Sequence, residues 1–482
     1  MNKKFAFLFF IIFIEGYIVL SAELLAMRQL IPFVGSGTDT MGIIIAAVLM
    51  PLAIGYYKGG QFKTYKKGIK IRQKLLNNIF VATIFLLPGL SSLTIEFFFE
   101  SLSYIGIHDR ILKTTIYSTF FLVVPVYLLA QTIPLISNYF SKQSLSKITG
   151  KMLFVSTIGS FMGAVFSTLV LMAYLGIFYT ALITLLCLTI LYIALSKKNK
   201  LNNGKIIMIG FAALAIYLNS PFTMNKMGII TSNNHHTVRI LDQPNDLKVL
   251  SLNGNHSSGF FDNDALKLSD RANAFKYISY INTRIIGNHK YIGKVRKILV
   301  IGAGGFTIGM DDKKNEYTFI DINPELQKIT EEHFHKQRLG DNKKFIAQPA
   351  RGFVAQATKQ NEKYDIIIID AYLGKNSLPE HLLTLEFFES LKEITKNNGA
   401  IALNFIGSPT FNNQYSVNLD ATLRHAFPML NRHVITHYNA LLDHPKNSAN
   451  IIYSYHHRDY SNTKLYTDNL NQSFSDKEKK LK

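Results

Sequence analysis

The sequence has few of the residues that build metal sites and disulfides. Cys187 is the only cysteine, which excludes a disulfide within one chain and a zinc site made of several cysteines. The histidines occur in three close pairs that lack a metal-ligand spacing, at His235/His236, His333/His335 and His456/His457. We expect these pairs to lie on the surface or in loops, and we predict no metal site.

Acidic residues are also scarce, especially in the first half of the chain. The chain has 52 Lys and Arg against 32 Asp and Glu, a net charge of +20. Residues 1–220 hold 19 Lys and Arg but only 6 Asp and Glu, placed between long apolar runs. Basic residues between apolar runs are typical of cytoplasmic loops in membrane proteins. The aromatic residues are not interleaved with basic clusters, so we predict no nucleic-acid partner.

Long apolar segments are abundant in the first half of the chain. There are seven, at about 5–27, 40–57, 78–95, 114–135, 152–172, 177–195 and 206–218. Most approach the roughly 20 residues that cross a bilayer as a helix. The first follows two lysines like a signal peptide, but it is too long for one and we interpret it as a retained helix. We predict a transmembrane helical domain over 1–220, with six or seven helices and the lipid bilayer as its partner.

The charge of the connecting segments leaves the orientation of the second half open. Segments 58–74, 142–151 and 197–205 are basic, whereas 100–110 is nearly neutral. The positive-inside rule places the basic segments in the cytoplasm. Seven crossings then put the second half of the chain outside. The last apolar segment is only 13 residues long, short for a crossing, so six crossings remain an alternative.

From about residue 221 the pattern changes to that of a soluble α/β protein. Residues 235–262 indicate short strands with turns, and 265–290 indicate a helix. Strands and helices then alternate, which predicts a doubly wound, mostly parallel sheet. The predicted strands are 297–302, 317–321, 344–347, 365–370 and 399–405, and the predicted helices are 306–313, 324–338, 350–360 and 384–396. The predicted domains are 1–220 (membrane), 221–290 (small β subdomain), 291–465 (Rossmann-like) and 466–482 (disordered basic tail).

A glycine-rich turn follows the first of these strands. In "KILVIGAGGFTIG" an apolar strand runs into Gly302, Gly304 and Gly305, where backbone can approach a ligand closely. Asp321 ends the next strand, 19 residues after Gly302, where a carboxylate can accept both hydroxyls of a ribose. The pattern predicts a nucleoside site. The structural alternative is a tight turn with an aspartate that caps a helix.

A second carboxylate ends a later strand. "YDIIIIDAY" carries four isoleucines into Asp370. Ligands bind at the carboxyl ends of the strands in such sheets, so Asp321 and Asp370 should face one crevice. The distance in sequence from Gly302 to Asp321 is shorter than in a typical dinucleotide unit, which disfavours NAD. A simple helix cap is the alternative for Asp370.

Taken together, these motifs resemble the spermidine synthase (polyamine aminopropyltransferase) family. The matching segments are "LNGNHSS", "ILVIGAGG", "FIDINPEL", "PARGFV" and "YDIIIIDAY". The resemblance implies a small β domain, a class I methyltransferase-type Rossmann domain, and aminopropyl transfer from decarboxylated S-adenosylmethionine to an amine. The implied residues are Gly302, Gly304, Gly305, Asp321 and Ala350 for the donor, Asp370 for catalysis, and Ser257 for the substrate. The donor is a co-substrate, so we expect no permanently bound cofactor.

The membrane half resembles bacterial fused, membrane-bound spermidine synthase-like proteins, in "GYIVLSAELLAMRQLIPFVGSG" and "STIGSFMGAVFSTLVLMAYLGI". The resemblance implies a multi-pass protein of the bacterial inner membrane. A donor made in the cytosol favours a cytoplasmic catalytic domain, although the seven-segment count favours the opposite. A homodimer is an open alternative to a monomer.

The chain departs from the family where the family holds its diamine and donor. Gly305 replaces an aspartate, and Ala371, Tyr372 and Leu373 follow Asp370 without a second acid. Asn253, Ser257 and Pro349 also replace family residues. Asp370 can still orient an ammonium and accept its proton. Tyr372 and His381 are candidate substrate contacts, with ordinary loop packing and a helix start as their respective alternatives.

Three functions agree with these motifs. The first is an aminopropyltransferase acting on a small amine. The second is a methyltransferase using intact S-adenosylmethionine, which the loss of the acid at Gly305 keeps open. The third is a transporter or sensor that binds a nucleoside or polyamine without turnover; the missing second acid favours it, and Asp370 argues against it.

Overall fold

A computed structural model describes most of the chain. It covers residues 3–35, 37–62, 69–138, 145–196, 203–261, 273–287, 294–374, 378–435 and 448–457. The predicted tail 466–482 and parts of the predicted helix 265–290 lie outside these ranges.

The first half of the chain is a helical bundle. Its helices are α1 (Lys3–Val34), α2 (Thr38–Gly60), α3 (Ile69–Leu90), α4 (Ser92–Tyr104), α5 (Arg110–Ser118), α6 (Val124–Ala130), α7 (Thr132–Ser137), α8 (Leu145–Phe166), α9 (Gly176–Leu195), α10 (Asn203–Leu218) and α11 (Pro221–Lys226). Wider, π-type turns at Thr119–Val123 and Ser167–Leu175 continue α5 into α6 and extend α8.

By length and composition, five helical stretches in the described residues can cross a membrane. They are Phe5–Val34, Thr38–Gly60, Ile71–Leu90, Arg110–Ser137 and Lys147–Leu195. The last is divided at Gly176, whose φ of +83° ends the extended α8 and starts α9. Helix α10 is shorter, with 16 residues.

Small residues bring α1 and α8 together. A Cβ on Gly159 would lie 2.1 Å from the carbonyl oxygen of Phe13, and one on Gly163 would lie 2.3 Å from that of Tyr17. Such distances are possible only for glycine, so the two backbones touch. Since Phe13 pairs with Gly159 and Tyr17 with Gly163, the two helices run parallel.

A small antiparallel sheet follows the bundle. Its strands are β1 (Ile229–Ser232), β2 (Thr237–Gln243), β3 (Leu247–Leu252) and β4 (Asn255–Phe261), paired in sequence order. The sheet rests on one end of the bundle. Arg28 at the end of α1 donates to the carbonyl oxygen of Asn233 at 3.1 Å. Arg239 of β2 makes two hydrogen bonds to Glu96 of α4, at 2.7 and 3.0 Å.

The rest of the chain forms a seven-stranded sheet with helices around it. The strands are β5 (Lys297–Ile301), β6 (Glu316–Asp321), β7 (Lys343–Ala347), β8 (Tyr364–Ile369), β9 (Thr395–Gly407), β10 (Asn431–Ile435) and β11 (Ala449–His456). The helices are α12 (Lys276–Tyr280), α13 (Leu326–Ile329), α14 (Ala350–Lys359), α15 (Leu385–Glu393) and α16 (Gln414–Ala426). Wider, π-type turns continue α12 over Ile281–Ile286 and α13 over Thr330–Phe334, and a 3₁₀ turn covers Glu380–Leu382.

The strand order is β10-β11-β9-β8-β5-β6-β7. The five strands from β9 to β7 are parallel, and β11 runs antiparallel to both of its neighbours, β9 and β10. The four isoleucines of β8 are buried on both faces, as expected of a central parallel strand. This is a Rossmann-like, methyltransferase-type arrangement, and it agrees with the predicted class of the second half.

The helix predicted at 306–313 is wrong. Residues 302–315 form a series of turns instead. Phe306 and Gly309 have φ of +55° and +64°, which no right-handed helix accommodates. Asp312 then accepts hydrogen bonds from the amides of Lys314 and Asn315, which closes a further turn. The glycine loop therefore has no helix N-terminus behind it, and its own backbone must face the ligand.

Candidate functional site

A cavity lies at the carboxyl ends of β5, β6 and β8. Its volume is about 180 Å³, and it is open to solvent. Eight residues predicted from the sequence line it: Ser257, Gly302, Gly304, Asp321, Ala350, Asp370, Tyr372 and His381. The ninth, Gly305, is absent from the wall. The ends of three parallel strands thus converge on one crevice, as the rule for such sheets predicts.

Gly302 brings the glycine loop against the end of β8. Its φ is +91°, and a Cβ there would lie 2.3 Å from the carbonyl oxygen of Asp370. Gly304 has a φ of +50° and lies against the Ser257 hydroxyl. Only glycine allows both the backbone conformation and the contact at position 302. The loop therefore leaves its backbone open to the cavity beside Asp370.

Gly305 has a packing role behind the cavity wall. Its amide donates to the Ser258 hydroxyl at 2.8 Å, and its carbonyl oxygen lies 2.6 Å from Nε2 of His335. A Cβ here would lie 2.6 Å from Cβ of Ser258 and 2.7 Å from the Phe334 ring. An acid at this position has no space, which explains one departure from the family pattern. His335 lies in a loop, as the expected surface or loop setting allows, and its side chain is fully buried.

Asp321 closes the cavity on the side of β6. Its Oδ2 accepts from the amide of Ala303 at 3.1 Å, and its Oδ1 accepts from the amide of Asn323 at 3.0 Å. These bonds hold the carboxylate in place and leave further acceptor capacity toward the cavity. A ribose that enters beside the glycine loop can donate its hydroxyls to this carboxylate.

His236 is a cavity residue that the sequence interpretation missed. It is buried, and its Nδ1 lies 3.9 Å from Oδ1 of Asp321. Burial lowers the pKa of His236, so the imidazole is neutral at physiological pH. His236 lies in the loop before β2, which agrees with the expected surface or loop setting, although its side chain is buried. No signal in the adjacent pair of histidines indicated this placement, which depends on how β2 docks beside β6.

Asp370 lies at the centre of a small hydrogen-bond network. Asn404 of β9 donates its amide to Oδ1 at 2.8 Å, and the Tyr277 hydroxyl of α12 donates to Oδ2 at 3.1 Å. Burial raises the pKa of Asp370 to about 6, although both hydrogen bonds oppose the increase. A carboxylate with this pKa can accept and release a proton near neutral pH. The network thus holds a candidate general base at the cavity wall.

Tyr277 and Asn404 were not predicted from the sequence. Tyr277 also lies 3.2 Å from the carbonyl oxygen of Ser257, so its single proton is shared between two acceptors. The pKa of Tyr277 is well above its usual value, chiefly through burial, and the hydroxyl remains a donor. Asn404 lies near the carboxyl end of the predicted strand 399–405, but only the docking of α12 and β9 around β8 brings the two residues to Asp370.

Tyr372 and His381 form the outer part of the wall. The Tyr372 hydroxyl donates to the carbonyl oxygen of Asn404 at 3.0 Å, which orients its ring in the cavity. His381 has an exposed side chain at the rim, in the short Glu380–Leu382 turn. Its carbonyl oxygen accepts from Nε of Arg351 at 2.6 Å. Both residues line the cavity.

The end of α1 supports the loop that follows Asp370. Asn253 donates to the carbonyl oxygen of Leu373 at 2.7 Å and accepts from Arg28 of α1 at 3.3 Å. A Cβ on Gly374 would lie 3.0 Å from the carbonyl oxygen of Ile31. Asn253, which replaces a family acid, therefore links the helical bundle to the candidate site.

Within the described residues, no group of three His, Cys, Asp or Glu side chains could hold a metal ion. The cavity wall presents backbone groups together with side-chain hydroxyls, amides and carboxylates, which suit an organic ligand.

We expect Tyr277→Phe to move the acid limb of the pH–rate profile to higher pH. The Tyr277 hydroxyl bond stabilises the charged form of Asp370, so its loss raises the pKa of Asp370 above about 6. A carboxylate acts as a general base only when it is ionised, so a rate that depends on Asp370 will be lost at a higher pH as the solution is acidified. The measurement is kcat/KM between pH 5 and 9. An unchanged acid limb would show that Tyr277 does not act on Asp370.

Comparisons with known proteins bear on this geometry. No protein-family model matches the chain. A polyamine aminopropyltransferase of Vibrio vulnificus (strain CMCP6) is 25% identical over 203 residues, which is 41% of this chain and 66% of that protein. An N-terminal histidine N-methyltransferase of Emericella nidulans is 33% identical over 135 residues, 27% of this chain and 23% of that protein. The chain therefore covers less than two thirds of either relative.

Among solved structures, a probable spermidine synthase from Corynebacterium glutamicum ATCC 13032 is similar with a TM-score of 0.38 and 20% identity, over 48% of this chain and 81% of that one. Both sequence relatives are transferases, and the spermidine synthase-like character of the second half rests on the first of them.

Proposed function

We propose that this chain is a membrane-embedded, aminopropyltransferase-like enzyme. The observation that carries the proposal is the position of Asp370, which shares one cavity with the glycine loop and Asp321 and is bonded to Tyr277 and Asn404. The similarity to a polyamine aminopropyltransferase supports the donor class. The long apolar helices, with many large apolar side chains exposed on their outer faces, support insertion into a bilayer.

The donor in this proposal is a nucleoside sulfonium. Its ribose hydroxyls bond to Asp321, and its nucleoside lies along the backbone of Gly302 and Gly304. The sulfonium then lies toward Asp370, since a Cβ on Gly302 would be 2.3 Å from the carbonyl oxygen of that residue. Decarboxylated S-adenosylmethionine fits this description as a co-substrate, with no permanently bound cofactor.

The acceptor is a small amine held beside Asp370. Its nitrogen lone pair attacks the methylene carbon next to sulfur, a C–N bond forms as the C–S bond breaks, and the electron pair of that bond remains on sulfur. The products are a neutral thioether nucleoside and an alkylated ammonium. An alkylamine is protonated near pH 7, so it must first lose a proton, and the Asp370 carboxylate is placed to accept it. Positioning of the two reactants supplies much of the rate.

A second candidate is methyl transfer from intact S-adenosylmethionine. It is favoured by the absence of an acid at Gly305, because an aspartate there would repel the carboxylate of the intact donor. The similarity to an N-methyltransferase supports the same alternative. In that case Asp370 would handle the proton of a different nucleophile in the same cavity.

A donor comparison tests the proposal. The full chain, purified in detergent, is incubated with a mixture of simple amines and either decarboxylated or intact S-adenosylmethionine, and products are identified by mass. We expect an aminopropyl addition with the decarboxylated donor. Addition of a methyl group with the intact donor would establish the second candidate. If neither donor is consumed, both transferase proposals are wrong.

A further inference from the structure

The helical bundle has two distinct ends, and the candidate site lies at one of them. We call this the site end. Several contacts at the ends of helices define it: Arg28 with Asn233, Gln29 with the carbonyl of Leu90 at 3.0 Å, Glu96 with Arg239, Gly176 with Ser232, and Asn219 with Ser91 at 3.4 Å. The chain therefore leaves the bundle at the site end and continues into the small sheet and then the Rossmann-like domain.

The opposite end is defined by a separate set of contacts. The end of α2 meets α7, where Gly59 lies against Gln131. The start of α3 meets the end of α9, where Arg72 donates to the carbonyl of Leu195. The start of α10 meets the same turn of α9, where Gly204 lies against the Tyr192 hydroxyl. We call this the basic end, for the reason given below.

Helix α10 passes from one end to the other despite its length. Gly204 at its start is at the basic end, and Asn219, just after its last residue, bonds to Ser91 at the site end. The seventh apolar segment is therefore a complete traverse of the bundle. The seven traverses are made by α1, α2, α3, α5 to α7 together, α8, α9 and α10. Because their number is odd, the N-terminal end of α1 and the Rossmann-like domain lie at opposite ends of the bundle.

Charge separates the two ends sharply. Of the 19 Lys and Arg in residues 1–220, 16 lie in the two helix turns nearest the basic end or in the sequence segments between those helices, and the remaining three, Arg28, Arg110 and Lys113, are at the site end. Four of the six acids, Asp39, Glu96, Glu100 and Asp109, belong to the site end. Glu15 and Glu23 lie within α1. None belongs to the basic end.

We propose that the basic end contacts the anionic cytoplasmic leaflet and that the candidate site opens on the other side of the membrane. Short segments rich in Lys and Arg are retained in the cytoplasm, and the anionic lipids of that leaflet attract them. Because seven helices connect the two ends, the site cannot share that compartment. This replaces the cytoplasmic placement that a cytosolic donor favoured.

The proposal places a condition on the reaction. The site takes both substrates from the non-cytoplasmic side, so a sulfonium nucleoside synthesised in the cytosol must cross the membrane before it binds. The amine acceptor, in contrast, can be a solute of the outer compartment. The orientation rests on charge and contacts in the bundle, not on the proposed transfer reaction.

Cysteine labelling tests the orientation. In a Cys187→Ser background, one cysteine is introduced at a time: Lys359→Cys on the exposed end of α14, and Lys147→Cys on the exposed first turn of α8. Spheroplasts of a bacterial host are treated with a membrane-impermeant maleimide before and after lysis. We expect Lys359→Cys to be labelled before lysis, and Lys147→Cys only after it.

A second pair protects the result against a variant that fails to fold. Asp341→Cys in the Rossmann-like domain and Lys58→Cys at the end of α2 are both exposed and should behave like the first pair. The reverse pattern, or labelling of both members from the same side, would overturn the proposal. The assay needs no turnover and is repeated in Asp370→Asn, so its outcome is independent of whether the transferase proposal holds.

Discussion

Asp370→Asn is expected to lower the rate of transfer by about 10²–10⁴-fold, the range of a positioned general base. Asparagine preserves the size of the side chain and can still accept the hydrogen bond from Asn404. It cannot accept the proton that the acceptor ammonium must lose before its nitrogen attacks. Donor binding, measured by calorimetry on the full chain in detergent, should remain near that of the wild type. The loss should therefore appear in kcat rather than in donor affinity.

Asp341→Asn is the matched control for this variant. It makes the same charge change on an exposed residue outside the cavity, and it should retain full activity. If Asp370→Asn turns over at the wild-type rate, Asp370 is not the proton acceptor. If it loses donor binding as well as activity, Asp370 supports the donor site instead.

Asp321→Asn is expected to weaken donor binding strongly. A hydrogen bond to a charged group contributes about 1.5–3 kcal/mol, so the loss of one corresponds to about a 10- to 150-fold increase in Kd. The carboxylate is already fixed by the amides of Ala303 and Asn323, so the wild-type site is preorganised for the ribose. The measurement is Kd for the decarboxylated donor by calorimetry.

Asp321 also holds the glycine loop, so a structural control is needed. Asp365→Asn serves, because Asp365 likewise accepts from a backbone amide, that of Lys297 at 2.8 Å, at the opposite end of β8. We expect Asp365→Asn to lower the melting temperature without changing the Kd of the donor. Equal effects of the two variants on Kd would show that Asp321 acts through stability alone.

Much of the site followed from the rule that ligands bind at the carboxyl ends of parallel strands. Asp321 ends one largely apolar strand and Asp370 follows another, so their convergence with Gly302 was predictable before the strand order was known. The residues that hydrogen-bond to Asp370 could not be predicted from the sequence. Tyr277 and Asn404 reach Asp370 from α12 and β9, and no local pattern records which distant side chain will complete a network.

In the glycine loop, the prediction from the local sequence pattern was wrong. A strand followed by glycines predicted a helix, but Phe306 and Gly309 turn the chain through left-handed conformations and the helix does not form. Gly305 was predicted to bind the donor, whereas Ser258, Phe334 and His335 surround it from behind. These contacts join residues 29 or more positions apart, and their fit depends on tertiary packing.

By itself, the sequence determined the helical character of the first half, the alternating β/α order of the second, and the two carboxylates at strand ends. These depend on hydrophobic periodicity and on chain direction, which are local properties. The tertiary structure alone decided the network around Asp370, the burial of His236 and the full traverse of α10. Each depends on which distant segments pack together, and that is set by the complementarity of whole surfaces rather than by any one stretch of residues.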